Sequence, residues 1–231
     1  MEIMVVLAII AIVGGMAIAG SSQLATPRLH RSATMIASAV KVAFTRATAT
    51  SSDLRMVMDL DEQRIWLEKA DRPMLAQAKD KTGTGGADPV TQAEEAALAE
   101  GDKIVKGPPI PKPRFRPIDS KGLEDVEFDD NAVKAGKVGK SLPPKIVFRS
   151  VQTTHDDAPR TAGRAYLYFW PGGRTELASI QVRIGDSTTD EDTLTLLVSP
   201  LTGKVTIKNG PVELQIPTDD NQASDREDTG F

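Results

Sequence analysis

The sequence predicts an α+β protein: a long N-terminal helix, apolar in its first half and amphipathic in its second, packed on an antiparallel β-rich head. Three observations carry that prediction. Residues Ile3 to Ala19 hold no charged or strongly polar side chain. From Leu29 to Ala47 apolar residues return at helical spacing, and from Leu54 onward they alternate or form short runs punctuated by Gly and Pro. The patterns divide the 231 residues into a transmembrane helix at 1–20, an amphipathic helix continuing into the head at 21–52 and a β-hairpin at 53–69. A long flexible insertion rich in Pro, Gly and Ala follows at 70–143, then a β-rich head at 144–217 and an acidic tail at 218–231.

The opening run, IMVVLAIIAIVGGMAIA, is close to the ~20 residues that cross a bilayer core at about 1.5 Å rise each. Gly14 and Gly15 would weaken a soluble helix but permit close contact between membrane helices. A cleavable signal peptide competes with this reading, since Ala17-Ile18-Ala19 before Gly20 has the small-x-small form. The missing positive n-region argues against it. The only early charge is Glu2. A carboxylate at the edge of hydrocarbon is costly unless it reaches water, is protonated or meets a cation, although a helix N-terminus also favours negative charge.

Pro27 is expected to kink or restart the helix. Beyond it Leu29, Ala33, Ile36, Val40, Ala43 and Ala47 form one stripe, while Arg28, Arg31, Ser38, Lys41 and Thr45 fall largely elsewhere. Leu54–Asp59 and Arg64–Glu68 then read as strands joined by an acidic turn. The insertion contains KDKTGTGGADP, a short helix expected over Val90–Ala99, and a proline cluster from Pro108 to Pro117 read as linker; it should bury little apolar surface. Strands are expected at Ile146–Phe148, Ala165–Phe169, Ile180–Ile184, Leu194–Val198, Val205–Ile207 and Val212–Ile216. Turns fall at Pro171-Gly172-Gly173, Thr202-Gly203 and Asn209-Gly210.

No catalytic constellation can be assembled, and neither an enzyme nor a cofactor is expected. Without cysteine there is no thiol catalysis, disulfide or thiolate metal site. The net charge of −4 lacks the basic excess of a nucleic-acid binder. His30 on the helix and His155 in an acidic loop read as structural or solvated, and Gly83, Gly85 and Gly86 lack the strand, helix and Lys of a phosphate loop. The loop Asp186–Asp192 carries four carboxylates but not the spacing of an EF-hand, so a solvated turn is preferred to a Ca²⁺ site.

The string Glu2-Ile3-Met4-Val5-Val6-Leu7-Ala8-Ile9-Ile10-Ala11-Ile12 resembles the start of type IV pilins and type II secretion pseudopilins. In that family a basic leader ending in Gly precedes Phe-Thr-Leu-Ile-Glu and an apolar run. AYLYFWPGGRTE and LTLLVSPLTGKV are similar to the family's F-x-P-x-G and S-x-x-T-G-x-V strand-turns. The order of amphipathic helix and hairpin resembles the H-type minor pseudopilins and their FimT-like pilin relatives. The resemblance implies a pilin-like fold and makes Glu2 the assembly residue, pairing with the N-terminal amine of a neighbouring subunit. It further implies a minor pseudopilin of a type II secretion pseudopilus, serving protein export across the outer membrane. The chain would be single-pass in the bacterial inner membrane with its head in the periplasm. Its partners would be other pseudopilins, the membrane and, as a further candidate, secreted cargo.

Met1 stands directly before Glu2, without the leader, processing Gly and first residues that the family carries. Either this start is trimmed or misassigned, which is the preferred reading and implies a leader and a methylated first residue upstream, or the chain is not processed in the family's manner. A basic leader would also set the orientation against Arg28, Arg31, Lys41 and Arg46. The alternative is a minor type IV pilin acting in pilus assembly, priming or DNA uptake. The acidic tail, with Asp219, Asp220, Asp225, Glu227 and Asp228, disfavours DNA, while the basic Lys112–Arg116 loop keeps it open.

Overall fold

The stripe read from the sequence is the stripe the protein buries. In the structure, a computed structural model that describes residues 25–74, 83–102, 112–118, 139–156, 158–185 and 187–214, helix α1 (Ala25–Thr50) buries Leu29, Ala33, Ile36, Val40, Ala43 and Ala47. Steps of three and four keep them on one face, and the alanines let the strands come close. Several hydroxyls of the helix are satisfied within it. Ser32, Thr34, Ser38, Thr48 and Thr50 each donate to the carbonyl four residues back. Among the described residues no helix is long and apolar enough to cross a membrane; the apolar run Ile3–Ala19 lies outside them.

Two antiparallel sheets share α1. The first has the order β3-β2-β1-β6-β7, formed by β1 (Leu54–Asp59), β2 (Arg64–Ala70), β3 (Phe115–Pro117), β6 (Arg164–Trp170) and β7 (Arg174–Thr175). A short β4 (Lys140–Ser141) pairs with the start of β2. The second has the order β10-β9-β8-β5, formed by β5 (Ile146–Thr153), β8 (Ala178–Ile184), β9 (Thr193–Val198) and β10 (Val205–Asn209). Period-two alternation sorts the side chains. Leu54, Met56 and Met58 of β1, Leu167 and Phe169 of β6, and Ile180, Val182, Leu196 and Val198 of the second sheet join the helix stripe in one core.

Strand β1 is buried on both faces. On the side away from the main core Val57, Trp66, Tyr166 and Tyr168 form a second cluster, closed by Ala87 and Phe115. Ala87 and Phe115 belong to the 70–143 segment, whose described parts thus bury more apolar surface than their composition suggests. Helix α2 (Gln92–Asp102) also lies in this segment, two residues beyond the expected start. A capping box sets that start: Glu94 N donates to Thr91 Oγ1 at 3.3 Å, and Thr91 N donates back to Glu94 Oε2 at 3.2 Å.

The expected strand Val212–Ile216 is corrected in its described part, where Pro211–Leu214 is irregular. Its backbone bonds go to side chains instead of a ladder. Val212 O accepts from Ser179 Oγ at 2.7 Å and Gln181 Nε2 at 3.1 Å, Val212 N donates to Thr195 Oγ1 at 3.1 Å, and Leu214 N donates to Gln152 Oε1 at 3.1 Å. The segment therefore crosses the polar outer face of the second sheet.

Candidate functional site

Two features of the head bear on function: a buried polar clasp on the first sheet, and the outward face of α1 with the turns that seat it. The clasp begins with register. Arg55 of β1 sits opposite Glu68 of β2 and opposite Tyr168 of β6, so three polar side chains line up across three strands. Arg55 Nε donates to Glu68 Oε2 at 2.6 Å, with both residues at most 2% exposed. The guanidinium lies between the rings of Phe115 and Tyr166, at 4.4 and 4.3 Å. Burial opposes the Arg55 charge, but Glu68 and the two tyrosines outweigh it and hold the guanidinium above its ordinary pKa. Trp66 Nε1 donates to Glu68 Oε1 at 2.8 Å, and Tyr166 Oη donates to Glu94 Oε1 at 2.6 Å, which ties α2 to the sheet.

A histidine completes the clasp. His155 is 2% exposed, with Nδ1 2.6 Å from Glu176 Oε1 and Nε2 3.3 Å from the Gly83 carbonyl oxygen. Burial would lower its pKa, but the hydrogen bond and charge of Glu176, with Asp156 behind, raise it instead. Tyr168, its phenol pushed up by burial, donates to the Thr84 carbonyl. The Gly83–Thr84 turn is thus gripped at two successive carbonyls. With acceptors at both ring nitrogens, the arrangement is suited to fixing a loop.

The second feature centres on Phe44 of α1. Both family-like turns converge there. Gly203 has φ +59, and a Cβ on it would lie 2.5 Å from Phe44 Cδ2; a Cβ on Gly173, at φ +70, would lie 3.9 Å from Phe44 Cζ. Thr175 N donates to the Pro200 carbonyl at 2.8 Å, joining the turns and with them the two sheets. Outward from this seat α1 carries no acidic residue between Ala25 and Thr50, and it exposes Arg31, Lys41 and Val42. A groove of about 470 Å³ runs between α1 and β2, lined by Met35, Ala39, Val42, Trp66 and Leu67 among others. A second groove separates α1 from β10.

The residues singled out in the sequence do not form one site. Glu2 lies outside the described residues, as does Asp186. Of the acidic loop, Asp192 Oδ2 accepts from Ser187 Oγ at 2.6 Å and Thr189 Oγ1 at 3.0 Å, and Asp190 pairs with Arg149 at 2.9 Å. No metal-holding group of acidic or histidine side chains occurs among the described residues. In the basic loop Arg114 pairs with Asp88 at 2.7 Å. Sequence reasoning missed Arg55, Glu68, Glu94 and Glu176. Only Glu94 carried a local signal, the T-x-x-E box.

No family model matches the chain, and no curated protein matches it. Among solved structures the chain is similar to two of the minor pseudopilin EpsH from the type II secretion system of Vibrio cholerae. Both are 10% identical over 81% of this chain, with TM-scores of 0.42 and 0.41, covering 99% and 98% of the EpsH chains.

Proposed function

We propose that this chain is a minor pseudopilin: a subunit anchored in the inner membrane that takes its place in a type II secretion pseudopilus. The observation that carries the reading is the continuity of one pattern. In the sequence a carboxylate and an uninterrupted apolar run, Ile3–Ala19, stand shortly before α1, whose stripe is roofed by two sheets and whose Phe44 seats the F-x-P-x-G-like and S-x-x-T-G-like turns. On this reading the apolar run extends α1 as a membrane helix that joins a bundle of like helices. In such a low-dielectric bundle an unpaired Glu2 is heavily penalised, so pairing with a neighbour's amine sets the register. The work is assembly, and the head presents loops to neighbours or cargo.

The test is a Glu2→Ala variant expressed with the other subunits of its system. It remains in the inner membrane but fails to co-purify with them, and export of the system's cargo falls. Normal co-purification and export would overturn the assignment of Glu2. Loss of pilus formation or DNA uptake with export intact would favour the minor type IV pilin.

A further inference from the structure

We propose that the edge of β10 that no other described strand pairs, at the mouth of the groove beside α1, takes up an extended acidic and apolar segment of another protein by strand addition. The argument begins with hydrogen-bond parity. Ser199 N donates to Lys204 O at 2.9 Å, and Gly210 N donates to Thr193 O at 2.8 Å. In the register that pairs Thr206 with Leu197 and Lys208 with Thr195, the even-numbered residues of β10 therefore share bonds with β9. Antiparallel bonds alternate, so Val205, Ile207 and Asn209 turn their N–H and C=O groups outward. Among the described residues β10 ends its sheet, with no strand beyond it.

The side chains at this edge are those of a docking surface. The large hydrophobics exposed among the described residues are Val42 at 55%, Leu201 at 72% and Ile207 at 41%. Val42 and Ile207 line the same groove, and Leu201 precedes Thr202 and Gly203 on its rim. Exposed apolar residues scattered singly need no explanation, whereas a cluster marks an interaction site. Charge selects the occupant. Lys41 and Lys204 line the groove, no carboxylate does so among the described residues, and Lys208 lies on the strand itself. A second copy's β10 would set lysine against lysine, which disfavours pairing. An acidic strand meets the opposite sign on both sides. In such additions the main chain supplies affinity and alternate side chains supply specificity.

This inference rests on the head alone and stands or falls separately from the filament reading. The probe is a fluorescein-labelled Val-Asp-Val-Asp-Val-Asp-Val peptide, titrated by anisotropy against the full chain in lipid nanodiscs. Saturable binding with a dissociation constant of about 100 μM or tighter is expected, with the same peptide carrying Lys for Asp at least about tenfold weaker. Ile207→Pro removes an outward N–H without touching the β9 ladder, as edge strands tolerate, and should weaken binding by about tenfold or more. Lys204→Glu with Lys208→Glu should do the same. Should Ile207→Pro unfold the head, amide exchange on the parent chain decides: the peptide must slow Val205, Ile207 and Asn209. Absence of binding at about 1 mM, equal binding of the Lys peptide, protection confined elsewhere, or self-association through β10 would overturn the proposal.

Discussion

Removing one charge from the buried row on β1, β2 and β6 tests the clasp most sharply. In Arg55→Met the apolar stem survives but Glu68, 2% exposed, keeps among the described residues only the Trp66 indole as donor. Breaking a buried ion pair from one side costs about 3–5 kcal/mol, because a charge is left in a low dielectric. The stacking of the guanidinium on Phe115 and Tyr166 is lost as well. Glu68→Leu leaves the opposite charge buried, held by Tyr168 Oη at 3.3 Å, and should cost a similar amount. The double variant buries neither charge; its main remaining penalty is an unpaired Trp66 indole, about 1–3 kcal/mol, since the Tyr168 hydroxyl still donates to the Thr84 carbonyl. The two changes should therefore be strongly non-additive, with a coupling of at least about 2 kcal/mol. Urea unfolding of the full chain in lipid nanodiscs, followed by tryptophan fluorescence, measures each corner of the cycle. Additivity within about 0.5 kcal/mol, or an Arg55→Met cost below about 1 kcal/mol, would refute the reasoning.

Two further predictions come from the same geometry. The raised pKa of His155 gives a pH dependence of known sign: its stabilising contribution is full below the ordinary value of 6.5 and is lost as pH rises through the higher folded value. The groups facing the ring include Glu176, Asp156 with its partner Arg160, Thr153, Tyr168 and the Gly83 carbonyl. Amide exchange of Thr84–Ala87 should quicken across that window, and His155→Gln should abolish the pH response; a flat profile in the parent would contradict it. Gly203→Val combines positive φ with a Cβ 2.5 Å from the Phe44 ring, so it should cost more than the about 1–2 kcal/mol of backbone strain alone. Thermal unfolding reads this, and an unchanged midpoint would show that the β9–β10 turn is not seated on α1.

The parts of the fold that were legible were those where one residue's environment repeats along the chain. Leu29 through Ala47 announce their face by spacing alone, and Leu54–Asp59 with Arg64–Glu68 announce a hairpin. Pairings between distant segments were not legible. Arg55 reads as an outward charge on an alternating strand; the docking of Phe115 over its guanidinium, opposite Tyr166, helps make it a buried one. The described parts of the insertion looked unable to pack because most of their anchors are polar: Glu94 and the Thr84 carbonyl accept from aromatic hydroxyls and the Gly83 carbonyl meets the His155 ring, while only a few side chains such as Ala87 and Phe115 enter an apolar cluster. Val212 misled for the opposite reason: its alternation is that of a strand, but Ser179, Gln181 and Thr195 meet its backbone first. The two glycine turns were legible as turns, and their common seat on Phe44 was not.

The central claim, a membrane-anchored filament subunit, is tested most directly by intact mass and membrane fractionation of the protein expressed from its native locus. The account predicts an inner-membrane product whose N-terminus lies a few residues before Glu2 and carries an N-methyl group. A soluble product beginning at Gly20 would contradict it, leaving a secreted head without the helix on which assembly depends.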